Sequence, residues 1–306
     1  MLAIVAPGQG AQKPGMLTAW LELDGVPATA AAMSERSKLD LVRLGTTAGA
    51  DEIKDTAVTQ PLVVAAALIG AGQFDLPSGS IIAGHSVGEL AAAALAGVLP
   101  ELDAVELAAV RGTAMSAACA LTPTGMSAVM GGETDDVLAA LAELDLVGAN
   151  VNGGGQIVAA GPIPALEKLA ANPPDGTRII PLPVAGAFHT SYMASAQSAL
   201  ESHLAGVRAA DPLRPLLTNS DGSVVATGSA YLGLLVAQVT KPVRWDLCMQ
   251  TLQTLGVTGV LELPPAGTLV GLIRRDLKGV ATMALKTPAE LDKAADFVAA
   301  HSGVRL

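Results

Sequence analysis

Residues 80–97, SIIAGHSVGELAAAALAG, carry the strongest indication of the fold of this chain. Its first residues, 80–83, form a short apolar run typical of a buried strand, and residues 89–97 have the composition of a buried helix. The five residues between them, 84–88, match the G-x-S-x-G pattern, in which a sharp turn between strand and helix exposes a serine. A strand that leads directly into a helix predicts an α/β fold with a mostly parallel sheet.

Strands and helices alternate towards both ends of the chain. A strand is predicted over residues 2–6, where it ends in the loop Pro7-Gly8-Gln9-Gly10, and another is predicted over 259–263. Helices are predicted over 51–72, with Pro61 near one boundary, over 102–121, and over 268–276. This alternation is typical of a sheet that is covered by helices.

The middle of the chain has its own pattern, with elements in the order β-α-β-β-α-β of a ferredoxin-like unit. The strands are predicted at 125–131, 148–152, 156–160 and 178–184, and the helices at 135–144 and 164–171. We therefore expect residues 124–187 to form a ferredoxin-like small subdomain. It is inserted into a discontinuous large domain made of residues 1–123 and 188–306.

The composition excludes several classes of protein. The 306 residues carry 18 Lys and Arg against 28 Asp and Glu, so the net charge of −10 argues against nucleic-acid binding, which needs clustered cations. Hydrophobic residues make up 51% of the chain, which excludes disorder over most of its length. Two cysteines supply neither a disulfide framework nor a Cys-rich zinc site, and we expect no metal.

No targeting or membrane segment is predicted. The first five residues lack the basic segment of a signal peptide. The most apolar stretches, 61–72 and 90–99, are shorter than the roughly 18–20 residues that span a bilayer. We therefore expect a cytoplasmic protein.

Ser86 is the candidate nucleophile. At a helix N-terminus, unpaired N–H groups and the helix dipole stabilise an oxyanion that develops beside a serine Oγ. The alternative is that Ser86 only caps the helix, because serine is also favoured there for structural reasons.

A serine nucleophile needs a base, and the chain offers four histidines. His301 lies in the C-terminal tail, and the polar, helical surroundings of His203 predict a solvated side chain. His85 is adjacent to Ser86 on a tight turn, where neighbouring side chains rarely meet, so we interpret it as structural or as lining the site. His189, at the end of an apolar strand pattern, is the best candidate base, and a buried histidine with satisfied hydrogen bonds is its alternative.

Two further features suggest anion binding. The loop that starts at Gly8 fits neither G-x-G-x-x-G, since Lys13 stands in the sixth position, nor a P-loop. We expect it to supply a second N–H donor to an oxyanion, and a plain glycine turn is the alternative. Arg111 lies in an otherwise apolar helix, where it either extends to solvent or grips a carboxylate through two parallel hydrogen bonds.

Taken together, the motifs resemble the malonyl-CoA:acyl carrier protein transacylase family, in an alanine-rich form that suggests an actinomycete. They follow one another in the family's order along nearly the whole chain, which is far more specific than any single motif. They are GQGAQ at 8–12, TQP at 59–61, GHSVGE at 84–89, RG at 111–112, NVN at 150–152, GAFH at 186–189, Asn219, Gln238, and PVRW at 242–245.

The resemblance implies an α/β-hydrolase-like core with a ferredoxin-like insert, and it implies roles for the catalytic groups. Ser86 would be the nucleophile and His189 the general base and then acid. The main-chain carbonyl of Gln238 would orient the imidazole in place of a carboxylate. The N–H groups of Gln9 and Val87 would form the oxyanion hole.

The same resemblance implies a substrate site. Arg111 would bind the free carboxylate of a malonyl group, and Phe188 would limit the size of the acyl group. The remaining residues that it places against the substrate are His85, Met115 and Asn152.

The activity implied is that of an [acyl-carrier-protein] S-malonyltransferase. The malonyl group would pass from malonyl-CoA to the phosphopantetheine thiol of holo acyl carrier protein by a ping-pong route through a malonyl-serine, in fatty-acid and also polyketide biosynthesis. No bound cofactor is implied, and we expect a monomer. Carrier proteins are acidic, so docking needs a local basic patch. Its candidates are Lys241, Arg244, Arg274, Arg275 and Lys278.

Two other functions stay open on the sequence. The first is a serine esterase or thioesterase, whose acid would be Asp135, Asp136, Asp145 or Asp175. This alternative leaves Arg111 and the Gly8 loop unexplained. The second is a non-catalytic module that binds carrier proteins, against which the presence of Ser86, His189 and Arg111 argues.

Overall fold

The computed structural model describes residues 1–303 of the chain. The strands are β1 (Leu2–Ala6), β2 (Ile81–Gly84), β3 (Thr124–Gly131), β4 (Val147–Gly153), β5 (Gln156–Pro162), β6 (Thr177–Pro181), β7 (Val243–Arg244), β8 (Gly259–Glu262) and β9 (Ala281–Ala284). The helices are α1 (Val26–Ser37), α2 (Leu41–Thr46), α3 (Ala50–Ile53), α4 (Thr56–Ala71), α5 (Gly88–Leu95), α6 (Glu101–Cys119), α7 (Thr134–Glu143), α8 (Ile163–Ala171), α9 (Ala194–Leu204), α10 (Gly228–Gln238), α11 (Trp245–Thr254), α12 (Leu269–Asp276) and α13 (Leu291–His301). Short 3-10 turns lie at Trp20–Glu22, Ser191–Met193 and Pro288–Glu290. The predicted α/β class is confirmed.

A parallel sheet with strand order β2-β1-β8-β9 forms the centre of the larger part of the chain. β1 is buried on both faces: Leu2 and Ile4 pack into one hydrophobic cluster, and Ala3 and Val5 pack into another. A strand that is covered on both sides is apolar at every position, which explains the uninterrupted run that predicted it. The carboxyl ends of β1 and β2 carry the loop at Gly8 and the turn at Ser86.

A second sheet has the order β6-β3-β5-β4-β7. β3, α7, β4, β5, α8 and β6 follow one another in the predicted order, and the pairs β3–β5, β3–β6 and β4–β5 are antiparallel. α7 and α8 bury Leu141 and Leu169 against this sheet. β7 comes from outside the middle segment and pairs in parallel with β4, which joins the second sheet to the rest of the chain.

Three predicted boundaries are wrong. The helix predicted over 51–72 is two helices, because the side chain of Asp55 accepts a hydrogen bond from the N–H of Ala57 at 2.9 Å and so starts α4. Pro61 lies inside α4 and not near a boundary. α4 is buried along almost its whole length, so packing outweighs the hydrogen bond that a proline cannot make. The strand predicted over 178–184 ends at Pro181.

None of the helices within residues 1–303 combines the length and the apolar character that crossing a membrane requires.

Candidate active site

Ser86 lies on the turn that joins β2 to α5. Its φ of 52° is in the left-handed region that side chains other than glycine rarely adopt. The flanking glycines permit this turn: a Cβ on Gly84 would collide with the main chain of Gly88, and a Cβ on Gly88 would collide with the carbonyl oxygen of Ala6. The turn thus packs against β1 and places Ser86 at the carboxyl edge of the parallel sheet, where ligands of α/β folds bind.

The Ser86 hydroxyl pairs with His189 and does not cap α5. Its Oγ lies 2.7 Å from His189 Nε2, and the start of α5 has no side-chain cap. Asn219 holds the turn, since its Oδ1 accepts a hydrogen bond from the Ser86 N–H at 2.7 Å and its Nδ2 donates to the Gly84 carbonyl at 2.7 Å. The helix-capping alternative is therefore wrong.

His189 is buried, with 3% of its surface exposed, and it has a φ of 60°. Its Nδ1 lies 2.8 Å from the main-chain oxygen of Gln238. Because a carbonyl can only accept, Nδ1 carries the proton and Nε2 turns its lone pair to the Ser86 hydroxyl. Burial lowers the pKa of His189 to about 3, and the charge of Arg111 acts in the same direction. The imidazole is therefore neutral at pH 7 and able to take a proton.

The aspartates of the esterase alternative do not reach His189. Among residues 1–303, the hydrogen bonds of its ring nitrogens go to Ser86 and Gln238 and not to a carboxylate. Asp135 and Asp136 lie in the first turn of α7. Asp145 follows the end of α7, and Asp175 precedes β6.

Arg111 lies on α6 with 3% of its surface exposed, so it does not extend to solvent. Nη1 donates to Gln60 Oε1 at 2.7 Å, and Nη2 donates to Gln238 Oε1 at 2.9 Å and to Ser86 Oγ at 3.3 Å. Burial lowers the pKa of Arg111 to about 10, so it remains a cation at pH 7. In the described part of the chain it forms no ion pair, which leaves a buried positive charge beside the serine.

The loop that follows β1 lies against the serine turn. A Cβ on Gly8 would meet the carbonyl oxygen of His85 at 2.8 Å, so this approach requires glycine. Gln9 and Val87 line the same cavity as Ser86. Within residues 1–303 their main-chain N–H groups donate no hydrogen bond, and both remain free for a bound oxygen atom.

The other predicted substrate residues line this cavity. His85 Nε2 lies 2.8 Å from Asn152 Oδ1, and burial lowers the pKa of His85. The Met115 sulfur accepts a hydrogen bond from Gln60 Nε2 at 3.4 Å, and Phe188 is buried beside His189. The predicted residues found in the wall are Gln9, His85, Ser86, Val87, Arg111, Met115, Asn152, Phe188 and His189. Gln238 lies behind His189 rather than in the wall.

Several lining residues were not assigned a role from the sequence. Gln60 is one of them, although a polar side chain in an apolar helix is the same signal that pointed to Arg111. The apolar members give no such signal, since they are like any core residue in sequence. They are Met126, Val158, Leu182, Val184, Leu269 and Leu272.

The remaining histidines lie elsewhere. His203 is exposed on α9, as predicted, and His301 bonds through Nδ1 to Thr258 Oγ1 at 2.9 Å at the end of α13. No group of three or more His, Cys, Asp or Glu side chains within residues 1–303 is placed to hold a metal ion.

Comparisons with known proteins agree on one family. Residues 4–287 match the model of the acyl transferase domain. The chain is 52% identical over 302 residues to the malonyl CoA-acyl carrier protein transacylase of Mycobacterium tuberculosis (strain ATCC 25618 / H37Rv), a match that covers 97% of this chain and 100% of the relative. The crystal structure of MCAT from Mycobacterium tuberculosis superposes with a TM-score of 0.93 at 52% identity and covers 96% of this chain and 99% of that one. A malonyl-transacylase in complex with a type II PKS acyl-carrier protein has a TM-score of 0.91 at 29% identity, with 96% and 99% covered.

Proposed function

The chain belongs to the malonyl-CoA:acyl carrier protein transacylase family of acyltransferases, and we propose that it catalyses a two-step transfer through Ser86. A malonyl group moves from malonyl-CoA to the serine and then to the phosphopantetheine thiol of holo acyl carrier protein. The observation that carries this proposal is the buried chain of contacts from Ser86 to His189 to the Gln238 carbonyl, with the Arg111 cation beside it.

In the first step Ser86 becomes acylated. Its Oγ attacks the thioester carbonyl carbon while its proton moves to Nε2 of His189. The carbon–sulfur bond breaks, and coenzyme A leaves as a thiol with the proton that His189 returns. The 2.7 Å separation of Oγ and Nε2 supports this direct proton transfer, as does the neutral state of the imidazole.

In the second step the carrier thiol gives its proton to His189 and attacks the ester carbonyl. The bond from that carbon to Ser86 Oγ breaks, and Oγ regains the proton. Both steps pass through a tetrahedral oxyanion, for which we propose the free N–H groups of Gln9 and Val87 as donors. These steps use only groups of the chain and its two substrates.

Arg111 binds the free malonyl carboxylate in this proposal. Its protein acceptors are amide and hydroxyl oxygens, so its charge has no carboxylate partner among the described residues. A substrate carboxylate in the cavity would neutralise this charge through charge-assisted hydrogen bonds. The contact of Nη2 with Ser86 Oγ supports a carboxylate held close to the reacting ester.

The other wall residues shape the acyl site. Phe188 fills space next to His189, and its ring would exclude an α-methyl group. The Met115 sulfur accepts a hydrogen bond from Gln60, which itself accepts one from Arg111. His85 and Asn152 form a hydrogen-bonded pair at the side of the cavity. We assign these four residues to substrate binding.

We also propose the division of the chain that the sequence suggested. Residues 1–123 and 188–306 form an α/β-hydrolase-like domain, and residues 124–187 form a ferredoxin-like one. The strand order β6-β3-β5-β4 and the connectivity of those strands support the second assignment. The cavity is lined from both units, for example by Asn152 on β4 and Ser86.

The carrier protein is proposed to dock beside α12. Leu269 and Leu272 of this helix line the cavity, while Arg274 and Arg275 in its last turn are exposed. Lys278, which follows α12, and Lys241, which precedes β7, are also exposed, whereas Arg244 is paired with Asp246 at 2.7 Å. A local positive patch would attract an acidic carrier despite the net charge of −10. We propose that the protein acts as a monomer, since one chain supplies every group in the scheme, and that it serves fatty-acid and also polyketide synthesis.

Intact mass spectrometry tests the proposal. Wild-type protein and a Ser86→Ala variant are mixed with malonyl-CoA, and holo acyl carrier protein is added in a second step. One malonyl increment on the wild type alone, followed by its movement to the carrier, is the expected result. Free malonate without movement to the carrier would contradict the transfer, and the absence of any adduct and of malonate would contradict the acyl-serine itself.

A further inference from the structure

We propose that Glu89 is a positioning residue that holds the base, the anion-binding arginine and the serine turn in one arrangement. This inference rests on the proposed roles of Ser86, His189 and Arg111. Glu89 is the second residue of α5 and has 1% of its surface exposed. Within residues 1–303 it forms no ion pair. Burial raises the pKa of Glu89 to about 8, while the hydrogen bonds that it accepts and the charge of Arg111 act in the opposite direction.

Both carboxylate oxygens of Glu89 accept hydrogen bonds from residues that touch the site. Oε1 accepts from the main-chain N–H of Asn219 at 2.6 Å, and Oε2 accepts a short hydrogen bond from Gln238 Nε2. Asn219 lies in a turn, 19 positions before Gln238, the last residue of α10, and Gln238 Nε2 also donates to Asn219 Oδ1 at 3.3 Å. One acidic side chain therefore ties together two supports of the proposed active site.

The bond to Gln238 sets which way that amide faces. Because Nε2 points to Glu89, Oε1 points to Arg111 and accepts from Nη2 at 2.9 Å. The reverse orientation would bring an amide NH₂ against the guanidinium, where both groups are donors. The main-chain oxygen of the same residue accepts from His189, so holding Gln238 also holds the imidazole.

The bond to Asn219 reaches the nucleophile. With its main chain fixed by Glu89, Asn219 accepts from the N–H of Ser86 and donates to the carbonyl of Gly84. These two bonds span the strained serine residue, whose φ is positive. Glu89 thus supports the nucleophile through one branch and the base through the other.

A matched control exists in the same chain. Glu262 is also fully buried, and it accepts hydrogen bonds from the main-chain N–H groups of Thr268, Leu269 and Val270 at the start of α12, at 3.2, 3.0 and 2.9 Å. It has no hydrogen bond to Ser86, His189 or Gln238 among the described residues. A Glu262→Gln variant therefore loses a buried carboxylate but keeps the hydrogen bonds of Glu89 to Asn219 and Gln238.

The test compares Glu89→Gln with this control. The amide nitrogen of Gln at position 89 cannot accept a hydrogen bond, whereas either oxygen of a carboxyl group can, so either Asn219 or Gln238 would face a second donor. We expect the His189 Nδ1–H resonance in ¹H–¹⁵N spectra of histidine-labelled protein to shift in Glu89→Gln. We also expect the rate constant of malonyl-serine formation to fall about 100-fold, the scale of a misplacement of about 1 Å. Glu262→Gln should lower the melting temperature and leave the resonance in place.

A second variant keeps the test decisive if Glu89→Gln does not fold. Glu89→Asp keeps a carboxyl group but shortens its reach by one methylene, so it should not hold Asn219 and Gln238 at the same time. We expect the His189 Nδ1–H resonance to shift and malonyl-serine formation to slow in this variant as well.

Three results would overturn the inference. One is an unmoved resonance in Glu89→Gln, another is a wild-type acylation rate in that variant, and the third is an unmoved resonance in Glu89→Asp. The resonance needs no substrate. If wild-type protein formed no malonyl-serine, the proposed function would fail, while the positional role of Glu89 would still be decided by the spectra.

Discussion

The main-chain oxygen of Gln238 lies 2.8 Å from Nδ1 of His189, in the place where a Ser-His-Asp site has a carboxylate. A carbonyl orients the imidazole and fixes its tautomer without adding a negative charge. Burial lowers the pKa of His189 to about 3, and the charge of the Arg111 cation acts in the same direction. His189 therefore remains able to accept a proton at low pH, but the Gln238 carbonyl adds no negative charge that would stabilise its protonated form.

The pH dependence of acylation should reveal this lowered pKa. The kcat/KM for malonyl-serine formation reports the free enzyme, so it should stay nearly constant from pH 7 to 5 and decline only as the pH approaches about 3. A histidine with the ordinary pKa of about 6.5 would lose roughly tenfold by pH 5.5. Rapid-mixing measurements of acylation would distinguish the two, and a limb near pH 6.5 would contradict the prediction.

The same shift predicts how stability changes with pH. The folded pKa of about 3 lies below the unfolded value of 6.5, so the unfolded chain takes up a proton first as the pH falls. Stability that depends on His189 is therefore present above pH 6.5 and is lost progressively towards pH 3. The free energy of unfolding, measured with urea at several pH values, should depend less on pH in His189→Gln than in the wild type. An equal pH dependence in the two proteins would contradict the lowered pKa of His189.

Arg111→Ala should lower malonyl transfer. The lost charge-assisted hydrogen bond corresponds to about 1.5–3 kcal/mol, or roughly 10- to 150-fold in kcat/KM. Acetyl-CoA has no carboxylate to lose, so its kcat/KM should fall less and it should compete better. Arg111→Lys is the matched control, since it retains charge but not the planar fork. Unchanged selectivity for malonyl over acetyl in the alanine variant would refute the assignment.

Phe188→Ser should relax selectivity against methylmalonyl-CoA. The smaller side chain opens the space that the ring occupies beside His189, and one methyl-sized difference in a pocket typically gives about 10- to 200-fold discrimination. Direct competition between malonyl-CoA and methylmalonyl-CoA, followed by mass spectrometry of the acyl-serine, measures the ratio. If the ratio did not change, another residue would set the acyl size.

Arg274→Glu/Arg275→Glu should separate the two half-reactions. Both side chains are exposed beyond the part of α12 that lines the cavity. Reversing their charge should raise the KM for holo acyl carrier protein and weaken its salt dependence, because attraction of an acidic partner is electrostatic. Malonyl-serine formation from malonyl-CoA serves as the internal control. A KM for the carrier equal to that of the wild type would show that the carrier docks at another surface.

The sequence correctly predicted those features that depend on one strand or helix alone. The strand Leu2–Ala6 was predicted to the residue, and the order of the six central elements was correct. The short elements were not predicted, among them α2, β7 and β9, because a few residues carry too little periodicity. Pro61 was misplaced for a different reason: the burial of α4 keeps the helix continuous through a residue that ordinarily ends one.

Residues 84–88 alone predict a serine on a strand-to-helix turn, since Gly84 and Gly88 are the residues that such a turn needs. The resemblance to a family then suggested partners for this serine. The three-dimensional packing was needed to show that Ser86 bonds to His189, that Arg111 is buried rather than solvated, and that Glu89 joins Gln238 to Asn219. A turn depends on neighbouring residues, whereas these contacts join residues up to 149 positions apart, and their distances follow from how the elements pack.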